Sequence, residues 1–145
     1  MKKISLTFDG YWRDENSGSI PNESGIYLVY TCTYNQTKKT VALNELVYIG
    51  ESGRVRARIE DDHEKRPEWE AHLTRGQELC FSFAPTVNPD RERAEAALIF
   101  HHEPPVNVEY KNSFPFDDTT VSSTGRCAFI TPEFTVRRSA LVGLR

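Results

Sequence analysis

The chain has 145 residues, of which 38% are hydrophobic and 27% charged, and its formal net charge is -3. This composition is typical of a soluble globular protein, and no apolar run reaches the length of a membrane span. A net negative charge argues against a protein that coats nucleic acid through bulk electrostatics, but it permits a local binding site. The length predicts a single domain, residues 1–145, with one hydrophobic core. The N-terminus lacks the apolar run of a signal peptide, so a cytoplasmic protein is expected.

The three cysteines, Cys32, Cys80 and Cys127, are odd in number, far apart in sequence and never in a C-x-x-C arrangement. This spacing fits reduced thiols better than a disulfide framework or a thiolate metal site. We therefore predict three free thiols, in the core or at the surface.

The first third of the chain predicts strands. Residues 4–8 indicate a short edge strand, which a polar loop follows. From Gly25 to Thr33 the chain is β-branched, aromatic and nearly free of charge, which predicts a strand buried on both faces. After a polar turn, residues 46–49 form a second apolar run. Two such runs predict an antiparallel pair, in which Tyr27 and Tyr48 can lie on one face.

Helical spacing follows, because Val55 and Ile59 share one face of a predicted helix while Arg54 and Arg58 share another. This helix is expected to end before Pro67, and a second short helix is expected after it.

A third strand and a longer helix complete the predicted core. Residues 79–83 alternate between large apolar and small side chains, as in a strand with one apolar face. Asn88 as N-cap and Pro89 at the first helical position open the next helix, which Pro104-Pro105 ends.

The order strand, strand, helix, strand, helix predicts an α+β fold with a central three-stranded antiparallel sheet and flanking helices. Beyond this core, residues 111–145 are expected to form a C-terminal extension. Its apolar runs over 127–130 and 134–136 predict an extra hairpin, and its polar stretch over 117–125 predicts a flexible loop.

Two tripeptides carry the most specific signal in the chain. Gly25-Ile26-Tyr27 begins the first buried strand, and Tyr48-Ile49-Gly50 ends the second. Arg58 follows ten residues after Tyr48, Glu95 lies in an Ala-Glu-Ala-Ala-Leu-Ile run, and Asn107 closes a Pro-Pro-Val-Asn run. With these elements in this order, the chain resembles the GIY-YIG nuclease family over residues 21–110, which would form the nuclease core.

The resemblance implies a metal-dependent endonuclease that hydrolyses phosphodiester bonds of DNA. Its catalytic residues would be Tyr27, Tyr48, Arg58 and Glu95, with Tyr27 accepting a proton from the attacking water. Arg58 and one Mg²⁺ or Mn²⁺ ion held by Glu95 would supply the positive charge that stabilises the transition state.

Three further residues are expected to support this site. The resemblance gives Asn107 a supporting role, which we expect to be structural. Gly50 belongs to the second tripeptide. His63 lies five residues after Arg58, where we expect an auxiliary role.

Four arginines are candidate contacts to nucleic acid, and DNA is the expected partner, with RNA left open. Arg54 and Arg56 precede Arg58 on the predicted helix. Arg137 and Arg138 belong to a C-terminal tail, residues 119–145, which holds four arginines, Arg145 among them, against one glutamate.

The acids Glu60, Asp61, Asp62 and Glu64 surround His63 just after Arg58, and they would repel phosphate if they faced the cleft. The chain also has no recognisable zinc finger or helix-turn-helix segment, which many members of the family use for specificity. A non-catalytic nucleic-acid- or partner-binding module on the same fold is therefore an alternative prediction. In either case a protein partner could supply the specificity.

Overall fold

The computed structural model describes residues 1–140, which form one six-stranded sheet with short helices on its faces. The strands are β1 (Lys2–Arg13), β2 (Gly25–Asn35), β3 (Thr40–Ser52), β4 (Glu78–Pro85), β5 (Thr119–Gly125) and β6 (Glu133–Val136). The helices are α1 (Val55–Glu60), α2 (Arg66–Ala71) and α3 (Asp90–His102), and a 3-10 segment covers Asp14–Ser19. Arg145 and the ends of the predicted ranges 1–145 and 111–145 lie outside the described residues.

The predicted fold class is wrong. The sequence predicts an α+β fold around three antiparallel strands, whereas the structure is mostly β, a curled mixed sheet in the order β3-β2-β4-β1-β5-β6. Neighbouring strands are antiparallel except β1 and β5, which are parallel. The C-terminal segment continues this sheet through β5 and β6 and does not form a separate extension.

β1 is longer and more central than its sequence indicates. Ile4, Leu6 and Phe8 are buried and alternate with exposed residues, so one face of the strand belongs to the core. A bulge at Gly10 shifts the pairing with β4, and the strand then continues to Arg13. The sequence conceals this continuation because an Asp-Gly pair is a common turn signal.

β5 forms where the sequence predicts a loop. Thr119, Val121 and Ser123 are buried in alternation, and the strand pairs with β1 in parallel register along its whole length. Because most of its residues are Thr and Ser, hydropathy does not reveal the period of two. Gly125 ends the pairing with a φ of 90°, close to the backbone of Phe8, where a Cβ would collide.

β2 lies between two apolar layers. Ile26, Leu28 and Tyr30 pack in the layer that includes α3, while Tyr27 and Val29 pack in the layer that includes α1 and α2. Burial on both faces agrees with the apolar sequence of this strand. Each large side chain buried in this way contributes about 1.5 to 3 kcal/mol, which fixes the backbone on which Tyr27 is held.

A disulfide between Cys32 and Cys80 joins β2 to β4, with the two Cα atoms 6.2 Å apart. The prediction of three free thiols is therefore wrong for this pair, while Cys127 is free. The sequence conceals the pair because its members are 48 residues apart and meet only when β2 and β4 become neighbours.

α1 is shorter than predicted. It ends at Glu60, and Asp62 then adopts a left-handed φ of 51°, so Asp61, Asp62 and Glu64 lie in a turn. Pro67 lies in the first turn of α2, where its missing N–H costs no hydrogen bond. Among the helices of residues 1–140, none has the length and apolar character needed to cross a membrane.

α3 begins one residue later than predicted, at Asp90, with Pro89 as the N-cap. The side-chain oxygen of Asn88 nevertheless accepts a hydrogen bond from the backbone N–H of Glu92 at 3.1 Å, which satisfies one free donor of the first turn. The helix ends at His102, before the two prolines.

Candidate active site

A cavity of about 440 Å³ opens at the β3 edge of the sheet. All four residues predicted to be catalytic line it: Tyr27 from β2, Tyr48 from β3, Arg58 from α1 and Glu95 from α3. Asn107, predicted to support the site, lines it as well. The remaining lining residues are Glu51, Glu64, Lys65, Ile99, Val108 and Glu109.

Gly50 provides the space that the Tyr27 ring occupies. The two residues are partners across β2 and β3, and a Cβ on Gly50 would overlap the ring and the hydroxyl of Tyr27. The φ of Gly50 is not positive, so glycine is needed here for its small size and not for its backbone freedom. The ring of Tyr48 lies beside that of Tyr27, with the centroids 6.2 Å apart.

His63 contacts the hydroxyl of Tyr27, with Nε2 and Oη 2.7 Å apart. Its other ring nitrogen, Nδ1, accepts a hydrogen bond from the backbone N–H of Lys65 at 3.0 Å. A neutral imidazole carries a single N–H, so the proton lies on Nε2 and His63 donates to Tyr27. The proton of Tyr27 is therefore free for a partner other than His63.

His63 is buried and tightly enclosed. Its ring lies 4.4 Å from that of Trp69, and the rings of Tyr27 and Tyr48 pack against it edge-on. Burial, with the nearby Arg58 guanidinium as the next cause, lowers the pKa of His63 to about 4. His63 is therefore neutral near physiological pH and acts as a fixed hydrogen-bond donor.

Both tyrosines of the cavity hold their protons strongly. Burial raises the pKa of Tyr27 well above its ordinary value, with Tyr48 adding to the rise and Arg58 opposing it. Burial likewise raises the pKa of Tyr48 to about 12, with Glu95 adding and Arg58 opposing. For Tyr27 to accept a proton from water, positive charge must therefore be brought close to its oxygen.

Arg58 is held by Glu64, whose Oε1 lies 2.5 Å from Nη2 of the guanidinium. The Glu64 side chain is 64% exposed. The hydrogen bond from Arg58 is the largest cause that lowers the pKa of Glu64, to about 2. Glu64 thus occupies a donor position of the guanidinium. An exposed ion pair contributes only about 0 to 1 kcal/mol, so it holds Arg58 weakly.

Glu95 lies half-buried on α3 without a cation partner among the described residues. Arg91, one helical turn earlier, pairs with Glu51 instead. Burial is the largest cause that raises the pKa of Glu95 to about 8, and the carboxylates of Glu51, Glu109 and Glu92 raise it further. Without a cation beside it, the Glu95 carboxyl therefore holds its proton near neutral pH.

This environment fits a hard divalent cation. A carboxylate in a cleft surrounded by other carboxylates is stabilised in its charged form by such an ion. Within residues 1–140 no group of three or more His, Cys, Asp or Glu is placed to hold a metal. Mg²⁺ commonly takes only one or two protein carboxylates and completes its shell with water and substrate oxygens. Glu95 alone is thus compatible with the predicted single Mg²⁺ or Mn²⁺ ion.

Asn107 holds the edge strand next to the site. Its Oδ1 accepts a hydrogen bond from the backbone N–H of Ile49 at 2.9 Å, and its Nδ2 donates to the carbonyl of Ile49 at the same distance. Ile49 lies between Tyr48 and Gly50, so this pair of bonds fixes the second tripeptide. The geometry gives Asn107 a structural role.

Arg54 and Arg56 lie on different sides of α1. Arg54 is exposed and lines a shallow depression together with Arg58. Arg56 instead directs its Nη1 to the carbonyl oxygens of Gly18 and Ile20, at 3.3 and 3.5 Å. Arg54 is therefore placed beside the cavity, whereas Arg56 fixes the 3-10 segment to α1.

Arg137 and Arg138 follow β6, at the edge of the sheet opposite to β3. Arg137 pairs with Asp118 at 2.8 Å, and Arg138 lies 3.6 Å from Asp117. Neither arginine lines the cavity that holds Glu95. The fold therefore does not bring these two candidates to the site.

Four charged residues of the cavity were not predicted to belong to the site: Glu51, Glu64, Lys65 and Glu109. The acids after Arg58 were visible, but only the early end of α1 shows that Glu64 folds back on the guanidinium. No sequence signal marks Lys65 or Glu109.

Comparisons of the chain with protein-family models, with curated proteins and with solved structures gave no match. The resemblance to GIY-YIG nucleases thus depends on the motif residues themselves.

Proposed function

We propose that the chain is a metal-dependent endonuclease of the GIY-YIG kind, which hydrolyses phosphodiester bonds of DNA. The observation that carries this proposal is the meeting of Tyr27, Tyr48, Arg58 and Glu95, from four different elements, in one cavity. Together they supply two neighbouring phenols, a cation and a carboxyl group that forms no ion pair among the described residues. These are groups that can activate water and stabilise charge on a phosphate.

Arg58 binds the phosphate in this proposal. The guanidinium donates to the non-bridging oxygens and stabilises the charge that they gather in the transition state. The incoming phosphate takes the place of Glu64, which is exposed and loosely held. Lys65, at the rim of the same cavity, adds positive charge on this side.

Tyr27, as the phenolate, takes a proton from the attacking water. The water oxygen forms a bond to phosphorus while the bond from phosphorus to the leaving oxygen breaks, and the leaving oxygen takes a proton from solvent water. His63 donates to the Tyr27 oxygen, which stabilises the phenolate more than the phenol. A divalent ion held by Glu95 would, when bound, supply further positive charge to the phosphate and to the nearby phenol.

The test is cleavage of plasmid, single-stranded and branched DNA in Mg²⁺, in Mn²⁺ and in EDTA. Glu95→Gln and Tyr27→Phe are expected to slow cleavage by about 100-fold or more, the usual effect of losing a proton acceptor or an electrostatic group. Glu70→Gln is the matched control, because Glu70 is an exposed glutamate outside the cavity, and it should change the rate less than about twofold. Cleavage in EDTA, or cleavage that survives both active-site substitutions, would overturn the proposal.

A second candidate is a module that binds nucleic acid or a protein without cleaving. The acidic lining of the cavity favours it, since four of the lining residues are glutamates and only two, Arg58 and Lys65, are cations. Binding without turnover in either metal, unchanged by Glu95→Gln, would support this candidate. Cleavage that depends on Glu95 would exclude it.

A further inference from the structure

A second depression, of about 480 Å³, lies between the end of β1 and the ends of β2 and β3 that flank their connecting turn. Tyr11, Tyr34, Arg13, Lys39 and Arg126 contribute to its wall, and no Asp or Glu does. It differs in this respect from the active-site cavity, whose wall carries four glutamates. In a chain of net charge -3, an aromatic depression lined only by cations and neutral groups indicates an anionic, planar ligand.

Tyr34 is a fixed aromatic platform in this depression. The guanidinium carbon of Arg13 lies 3.6 Å from the centroid of the Tyr34 ring. Arg13 is itself held by Glu78 through two hydrogen bonds of 2.6 and 3.0 Å, so its charge is already matched. Arg13 therefore orients the ring. Tyr34 is half-buried, so part of its side chain stays exposed to solvent. A ring held in place loses little entropy when a base stacks on it.

Lys39 and Arg126 supply the unmatched charge. Both are exposed, and neither forms an ion pair with a carboxylate of residues 1–140. Lys39 belongs to the turn between β2 and β3, whereas Arg126 directly follows β5, so the two approach the depression from separate parts of the chain. Two cations beside an aromatic ring match a phosphate backbone with bases that can stack.

We propose that this depression binds single-stranded nucleic acid, with a base stacked on Tyr34 and flanking phosphates held by Lys39 and Arg126. A single strand is favoured over a duplex because the bases of a duplex are already stacked on one another and cannot lie on the ring. Tyr34 follows Tyr27 by seven residues on β2, about 23 Å at roughly 3.3 Å per residue. The depression is thus a binding site separate from the cavity of Glu95, and it would hold a strand whether or not that cavity cleaves.

The test measures the fluorescence anisotropy of a labelled ten-nucleotide oligo-dT with the full chain in EDTA, so that cleavage does not interfere. The double variant Lys39→Glu/Arg126→Glu is expected to weaken binding about tenfold or more, and Tyr34→Leu about fivefold. Tyr34→Phe, which keeps the ring, should stay within about twofold of the original protein. The matched control is Lys3→Glu/Arg75→Glu, which changes the charge equally at two exposed positions outside the depression.

The proposal is supported if only the variants in the depression lose affinity and if a duplex of equal length binds more weakly. Equal loss in Lys3→Glu/Arg75→Glu, undiminished binding by a folded Tyr34→Leu, or preference for the duplex would each overturn it. If circular dichroism shows that Tyr34→Leu does not fold, the comparison of Lys39→Glu/Arg126→Glu with Lys3→Glu/Arg75→Glu decides whether the proposal stands. Because binding is measured in EDTA and at residues outside the cavity of Glu95, this result is separate from the outcome of the cleavage test.

Discussion

Nε2 of His63 donates a hydrogen bond to the hydroxyl oxygen of Tyr27 across 2.7 Å, because the backbone N–H of Lys65 occupies the other ring nitrogen. The direction of this bond has a chemical consequence. A donor aimed at the phenol oxygen favours the phenolate, whereas an acceptor at the same place would favour the phenol. The arrangement depends on the early end of α1, since residues 61–65 must turn back for His63 to reach Tyr27.

Replacing His63 should therefore change the pH dependence of cleavage as well as its rate. His63→Leu removes the donor, so the pKa of Tyr27 rises further. We expect kcat/KM to fall about tenfold or more, with the ascending limb that reports deprotonation of Tyr27 shifted to higher pH. His63→Gln retains an N–H group and should recover part of the loss. The measurement is the pH–rate profile of both variants, with thermal unfolding to confirm the fold. A profile that keeps its shape in His63→Leu would show that the histidine only fills space.

The stability of the protein should fall as the pH is lowered from about 6.5 to about 4 because of His63. Its pKa in the folded chain is about 4 against 6.5 in the unfolded chain, so the unfolded form binds more protons in this window. The contribution is complete above pH 6.5 and is lost as the pH approaches 4, with an upper bound of about 3 kcal/mol.

Glu95 changes the stability in the opposite direction over an overlapping pH range. Its pKa is raised to about 8 in the folded chain, so its contribution to stability falls as the pH rises. The difference between the original protein and His63→Gln therefore isolates the histidine. Urea unfolding of both proteins at several pH values measures this difference in the free energy of unfolding. Parallel curves of stability against pH for the two proteins would contradict the prediction.

Asn107→Ala should destabilise the edge strand at the site. The substitution leaves both backbone groups of Ile49 without partners in a buried place, at a cost of about 2 to 3 kcal/mol. Asn112→Ala is the control, because Asn112 is exposed. The expected result is a lower urea midpoint for Asn107→Ala with an unchanged slope. Equal midpoints for the two variants would argue against the structural role.

The sequence predicts the local features of this molecule better than the pairing of strands that are distant in the chain. The two tripeptides mark the start of β2 and the end of β3, where a strand end naturally places side chains at a cleft, and the structure brings Tyr27, Tyr48, Arg58 and Glu95 together there. The central place of β1 depends on its pairing with β4 and with β5, and the second pairing joins residues more than a hundred positions apart. No hydropathy period within a short window reports such contacts.

The partners of Tyr27 and Arg58 could not be predicted from the sequence for a related reason. A continuous helix after Arg58 would separate Arg58 from Asp61 by only about 60°, which left the direction of the acids undecided. The structure ends α1 at Glu60, and the turn that follows places His63 on Tyr27 and Glu64 on Arg58. One chain reversal thus determines the surroundings of two predicted catalytic residues.

Counting thiols tests the pairing of Cys32 with Cys80. In guanidinium without reductant, one reactive thiol is expected, from Cys127, and three after reduction. A bridge that closes a segment of 48 residues stabilises the fold by about 4 kcal/mol in the chain-entropy account, so reduction should lower the urea midpoint.

Cys127→Ser serves as the control for the thiol count and should show no thiol before reduction and unchanged stability. Three thiols in the unreduced protein would contradict the pairing. Because structural disulfides are typical of oxidising compartments, the same count also tests the expected cytoplasmic location.

Glu64→Gln should increase the affinity for DNA, because it frees the guanidinium of Arg58. The pKa of Glu64 is about 2, so pH cannot open this ion pair in the working range and competition by phosphate must do so. Since an exposed pair contributes up to about 1 kcal/mol, the expected gain is at most about fivefold, measured as Kd in EDTA. Glu70→Gln removes an equal charge at an exposed position of the neighbouring helix, outside the cavity, and controls for general electrostatics. The gain should vanish when Arg58→Gln is combined with Glu64→Gln, because the glutamate then has no guanidinium to release. A loss of affinity in Glu64→Gln would instead mean that the glutamate holds Arg58 in the orientation that binds phosphate.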